Sequence, residues 1–421
     1  MKFVLPFTKL SVSLRTGWCA APAAVTQRPL LQVSLLTGCA LVLFGGWQLW
    51  KWISARSVVR PDFVSVEAWS EAEATCRRNR GGTVQESDVL MTLARQAGRR
   101  GDLTQAFCCY ERIAPGDPRH GLQALFEHSV LSLDNHFAQK AERGFVTLLQ
   151  RHEQGDQISG RQISVARRSL SLLYGLQMRA AERAGILQQL ISHRQADVYD
   201  AKYYYFPSLM IWQNAWGAEQ ISAFLRCDPE NRLLLAANAR YRTGEGQPAR
   251  AQRELLDLHR QEPSNPDLTA WLLESCFELD DWKTFERIHQ QLPPRQSSEP
   301  LLLTQMRGEW CLHKSQWQEA ETVFRELLDR DAANSQATMG LARAFDQSGQ
   351  HNLRDKYLQR AATIAELRVG LTAAHPGQTD ALKKVVGWCR ELQMTAAAET
   401  FDFFANAGTG SPVSREFGLP Q

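Results

Sequence analysis

The sequence predicts an all-α protein, a stack of antiparallel helix pairs preceded by one membrane-spanning helix. Three observations predict it. Small and apolar residues recur in the same order about every 34 residues, a period that marks helix pairs unable to bury their apolar faces alone. They appear as Leu90, Leu93, Ala94, Gly101, Asp102, Leu103, Ala106, Tyr110 and Pro118, return as Ala239, Gly246, Ala251, Leu255 and Pro263, and again as Gly308, Trp317, Ala320 and Phe324. Leu30 to Trp50 is a run of 21 residues without a charge. The composition, 44% hydrophobic and 22% charged, is that of a folded chain.

Residues 1–29 form a basic N-terminal segment. The first 60 residues hold Lys2, Lys9, Arg15, Arg28, Lys51, Arg56 and Arg60 and no acid, which leaves the rest of the chain slightly acidic. A mildly acidic body excludes nucleic acid as a partner, because phosphate contacts need clustered Lys and Arg. Residues 30–53 are predicted to be a single-pass transmembrane anchor. At 1.5 Å rise per residue the uncharged run is roughly as long as a bilayer core is thick. Trp47, Trp50 and Trp52, followed by Lys51 and Arg56, supply an interfacial belt with snorkelling cations. Leu36–Cys39 also resembles a lipoprotein box, but the apolar run continues well past Cys39. The flanking charges nearly balance, so the side of the membrane that the body faces stays open, as does the oligomeric state.

Residues 54–86 are a linker, with a short amphipathic helix near the membrane surface expected between Asp62 and Arg80. From Ser87, a candidate N-cap, the pattern becomes regular. Leu90, Leu93, Ala94 and Ala97 form the buried stripe of a first helix, Gly98 and Gly101 make the turn, and Leu103, Ala106, Phe107 and Tyr110 are the stripe of a second. Ala94 and Ala106 sit where the two axes cross, and Gly308, Ala320, Ala239 and Ala251 hold the matching places later. A bulky side chain there would push the helices apart. Tyr110, Leu255, Phe324 and Leu358 lie one turn after the second small position and are expected to pack on the following pair. Residues 121–227 keep little of the pattern and are expected to hold longer helices in place of regular pairs. Residues 369–405 are read as a capping pair and 406–421 as a disordered tail.

The pattern resembles the tetratricopeptide repeat (TPR) family over residues 87–368, most securely at 87–118, 232–263, 301–334 and 335–368. Arg354 and Phe285 depart from it by replacing small residues. The resemblance implies a right-handed α-solenoid whose first helices line a groove that holds proteins or peptides, as in membrane-anchored bacterial proteins of this type.

No motif for catalysis, a cofactor or a metal appears. There is no GxxxxGK[ST] loop, no HExxH and no paired CxxC, and His120, His128 and His136 read as surface or hydrogen-bonded residues. The expectation is therefore a non-enzymatic scaffold, possible roles being envelope-complex assembly or, alternatively, an accessory subunit of an enzyme complex such as a glycosyltransferase-linked one. Projecting outward from the crossing residues selects Asp88, Met91, Arg95, Arg240, Glu274, Phe277, Glu309, Leu312 and Arg343 as groove-lining. Their mixed charge argues against a basic clamp for acidic peptide tails. Tyr204 and Tyr205, in the run Tyr203–Pro207, form a rival aromatic patch. Adjacent helical residues point about 100° apart, so the three tyrosines cannot share one buried face.

Overall fold

The computed structural model describes residues 66–80, 85–209 and 215–407. The anchor expected at 30–53, the basic segment before it and most of the tail from 406 lie outside these residues. Among the described residues there are nineteen helices and no strand, and no helix is long and apolar enough to cross a membrane.

α1 (Val66–Arg80) precedes eight hairpins, each a first helix, a tight turn and a second helix. They are α2 (Glu86–Arg100) with α3 (Leu103–Arg112), α4 (Gly121–Asp134) with α5 (Ala138–Glu153), and α6 (Gly160–Leu176) with α7 (Ala180–Ser192). After α8 (Val198–Tyr205) and α9 (Ala215–Cys227) come α10 (Arg232–Gly244) with α11 (Pro248–Gln261) and α12 (Pro266–Glu278) with α13 (Trp282–His289). The last are α14 (Leu301–His313) with α15 (Trp317–Arg330), α16 (Ser335–Gln347) with α17 (His351–Ala373), and α18 (Thr379–Glu391) with α19 (Thr395–Asn406).

One turn geometry builds all eight hairpins. A residue in the left-handed region ends each first helix: Gly101, His136, Met178, Gly246, Asp280, Ser315, Gly349 and Gln393. The next amide then donates back to the carbonyl five residues earlier, as in Asp102 N to Ala97 O (2.9 Å), Gln247 N to Arg242 O (2.8 Å) and Met394 N to Cys389 O (2.8 Å). Asn231, Asn265 and Asn334 cap α10, α12 and α16 by accepting from the amides of Leu234, Leu268 and Ala337. Two expectations are corrected here. Residues 121–192 are hairpins of the same kind, not longer helices. α2 starts at Glu86 with Gln85, not Ser87, as its N-cap.

Small residues set the crossings. Ala94, Ala106, Ala239, Ala251 and Ala320 are fully buried. Gly308 and Gly340 are more demanding, because a Cβ on either would lie 2.5 Å from the Phe324 ring, which sits between them. Tyr110, Leu255 and Phe324 are buried, but Leu358 is 42% exposed, so the expected packing of Leu358 on the next pair is not found.

Candidate interaction surface

Stacking by one repeat sets equivalent residues of neighbouring first helices side by side, so a charge meets whatever stands one period later. Arg95 donates through Nε and Nη2 to Glu127, 32 positions on, at 2.8 and 2.6 Å. Arg240 donates to both oxygens of Glu274, 34 positions on, at 2.8 and 3.2 Å. Arg343 reaches back 34 positions to Glu309 at 2.5 Å. His120 Nε2 lies 2.6 Å from Asp88 Oδ1 at a separation of 32. Charged residues among those expected in the groove thus form a ladder of polar contacts, three of them Arg–Glu ion pairs, that join one hairpin to the next.

The ladder alters what these residues present. Asp88, Arg240 and Glu309 are buried, correcting their expected outward projection. Met91 is 1% exposed and joins one core with Ala72 of α1, which packs on α2 and caps this end of the stack. Cys76 of α1 lies 3.2 Å from Thr92 Oγ1, one turn from Asp88. Residues 66–80 therefore serve the stack itself. Glu274, Phe277 and Leu312 are half-buried, and Arg95 and Arg343 stay exposed.

The pKa directions follow from burial and pairing. Burial disfavours the Glu127 carboxylate, but bonds from Arg95, Gln123 and Tyr110 outweigh it and hold its pKa below the ordinary value. Glu309 is raised, because burial exceeds the opposing pull of Arg343. Of the three histidines, His128 packs edge-on to Phe107 at 5.1 Å and is lowered chiefly by burial, and His136 is lowered by burial and by Arg226. Among the described residues no group of three or more His, Cys, Asp or Glu side chains is placed to hold a metal ion.

The aromatic run occupies a junction. Tyr203, Tyr204 and Tyr205 are all half-buried. Tyr203 carries the Arg183 guanidinium 3.8 Å over its ring. Tyr204 packs with Leu187 and Leu190 of α7 and meets the Tyr205 ring edge-on at 4.9 Å. Tyr205 turns to the opposite end of the chain, where its hydroxyl lies 3.0 Å from Thr400 Oγ1 of α19. Phe206 is fully buried and stacks on Phe401 at 5.7 Å and 28°. Met210 and Trp212 lie outside the described residues.

Two features were missed in the sequence. The ladder was signalled, since Arg240 with Glu274 and Glu309 with Arg343 are opposite charges one period apart. The other is a ring stack between hairpins, in which Trp282 faces His313 at 3.8 Å and 9° and Phe285 lies on Trp310 at 5.4 Å and 12°. The spacing of these residues does not show that they meet.

No family model and no curated protein sequence matches the chain. Among solved structures, it is similar to a tetratricopeptide repeat protein from Parabacteroides merdae, at 13% identity and a TM-score of 0.30, over 62% of this chain and 100% of that one. It is also similar to yeast Tom70, at 9% identity and a TM-score of 0.29, over 81% of this chain and 95% of that one. At such scores the fold rests on the helix pairs themselves: repeated hairpins with one turn geometry, whose first helices begin at 232, 266, 301 and 335 in the most regular stretch.

Proposed function

We propose that the chain is a membrane-tethered, non-catalytic scaffold whose stacked hairpins dock a protein or peptide. One observation carries the binding half of this reading. The C-terminal hairpins already hold a helix from elsewhere in the chain, α8, through apolar packing, ring stacking and hydroxyl contacts. A hairpin stack that accepts one such helix has the chemistry to accept another. The uncharged run 30–50 with its tryptophans supports the tether, which would hold the stack near other membrane proteins and raise its effective concentration there. Envelope-complex assembly is the setting that suits this arrangement.

The test is fractionation followed by capture. The full chain should stay with membranes through high-salt and carbonate washes, and a chain lacking residues 1–60 should be a soluble helical body. Partner recovery from solubilised membranes should persist at reduced yield without residues 1–60. Release of the full chain by salt alone would remove the tether. Capture that needs only residues 1–60 would remove the scaffold.

A further inference from the structure

α8 differs from the other described helices in having core partners more than 150 positions downstream. Val198, Ala201, Phe206 and Leu209 share one buried cluster with Ile364, Leu367 and Leu371 of α17, Leu382 and Val385 of α18, and Phe401 of α19. Those partners stand far downstream, whereas each hairpin otherwise packs on its sequence neighbours. Hydroxyls secure both ends of the contact. Tyr199 lies 3.0 Å from His375 Nδ1, 176 positions away, and Tyr205 lies 3.0 Å from Thr400, 195 positions away.

The docked face has the form of a helical ligand. Val198, Ala201 and Tyr205 fall at i, i+3 and i+7, the spacing by which an amphipathic helix anchors in an apolar groove, with Phe206 completing it. The same segment carries charge inward at a cost. Asp200 and Lys202 are 9% and 2% exposed. Burial raises the Asp200 carboxyl to about 6, with Asp197 adding to it and Arg168 opposing. It lowers the Lys202 ammonium to about 8 against the pull of Asp197. Asp200 meets Arg168 of α6 at 3.3 Å, so its burial belongs to that pair; burial of the Lys202 ammonium is the cost carried by the docked segment near neutral pH.

We propose that residues 197–209 are an internal ligand, occupying the surface of α17, α18 and α19 on which an aromatic amphipathic helix of a partner docks once the segment is displaced. The partner helix is expected to carry a small or β-branched residue, a second small residue three positions on, and aromatics at the seventh and eighth positions after the first. It would have a neutral residue where this chain has Lys202. The proposal rests on the scaffold reading and names its occupant and its control.

The experiment uses the detergent-solubilised full chain and a fluorescent synthetic peptide of residues 196–209, followed by polarisation. The wild-type chain, with its own segment docked, should bind the peptide weakly. The Tyr205→Ala/Phe206→Ala chain should bind it at least about tenfold more tightly, because the competing intramolecular ligand is weakened. Adding Phe401→Ala should abolish that gain. A peptide with Lys202→Met should bind more tightly than the natural one. The milder Tyr199→Phe/Tyr205→Phe chain, which loses only hydroxyls, should show a smaller gain in the same direction. Loss of the cooperative melting transition in the Ala/Ala chain, with no gain in the Phe/Phe chain, would mark the segment as core and overturn the proposal. Folded variants that gain no affinity for the peptide would also overturn it. Peptide binding as expected, without capture of any membrane partner, would instead refute the scaffold reading and leave the internal ligand standing.

Discussion

The tightest packing in the stack offers the most decisive mutational test. Phe324 of α15 is fully buried, with Gly308 of α14 on one side and Gly340 of α16 on the other. A Cβ at Gly308 would lie 2.5 Å from Phe324 Cε1, and one at Gly340 would lie 2.5 Å from Cε2 and Cζ. Two terms oppose each other in Gly→Ala. Helix propensity favours alanine by about 1 kcal/mol. The forced overlap costs roughly 1–3 kcal/mol. Each single change should therefore range from neutral to about 2 kcal/mol destabilising, because the ring can still lean towards the remaining glycine. The double change removes that escape and should cost at least about 1 kcal/mol more than the sum of the singles. In a Phe324→Leu background the ring is gone, and Gly308→Ala should stabilise by up to about 1 kcal/mol. Urea unfolding followed by far-UV circular dichroism reads the five variants beside the wild type. If both single changes stabilise by the full propensity gain while Phe324 is present, the ring is not wedged and the packing argument fails.

Other expectations follow from the turns and the ladder. Ser315→Gly and Gln393→Gly should each stabilise by about 1 kcal/mol, because a non-glycine residue pays to adopt the left-handed conformation, and Gly246→Ala should cost a similar amount in the same urea assay. Arg343→Met leaves the buried Glu309 without its cation and should destabilise by about 2 kcal/mol at neutral pH, less than for a fully enclosed pair because Arg343 is half exposed. The Glu309 pKa is already raised by burial, and losing Arg343 raises it further. The loss is therefore full while Glu309 is ionised and shrinks as Glu309 takes up a proton, so the urea midpoints of variant and wild type should converge as the pH is lowered. A gap that widens on acidification would contradict the assignment. This result also bears on function, because charge reversal on the ladder changes stability together with any effect on a partner.

The sequence was most legible where glycine marks a turn. Gly101 and Gly246 announce the hairpins α2–α3 and α10–α11. The turns at His136 and Met178 adopt the same left-handed geometry without glycine, so α4–α5 and α6–α7 could not be recognised from punctuation. The α4–α5 crossing is also disguised, since Ser129 faces Gly144, where the clearer units use alanine. Outward projection from the crossing residues did not foresee the burial of Asp88, Met91, Arg240 and Glu309. α1 covers Met91, and Arg240 and Glu309 are drawn into pairs with the next hairpin, both consequences of stacking that a single-unit reading omits. The destination of the tyrosine run was not legible, because its partners lie 176 and 195 positions away and only tertiary closure brings them near.

Position-specific photo-crosslinking in native membranes tests the central claim, that partners dock on the stacked hairpins, most directly. A photoreactive residue would replace Leu312 or Arg95 on first helices, Leu358 or Phe403 on the C-terminal hairpins, and, as a control, Arg15 in the basic segment. The account predicts one discrete protein adduct from hairpin positions, with its yield at Phe403 rising in the Tyr199→Phe/Tyr205→Phe chain. Adducts from position 15 alone, with none from any hairpin position, would contradict it and make the stack a spacer.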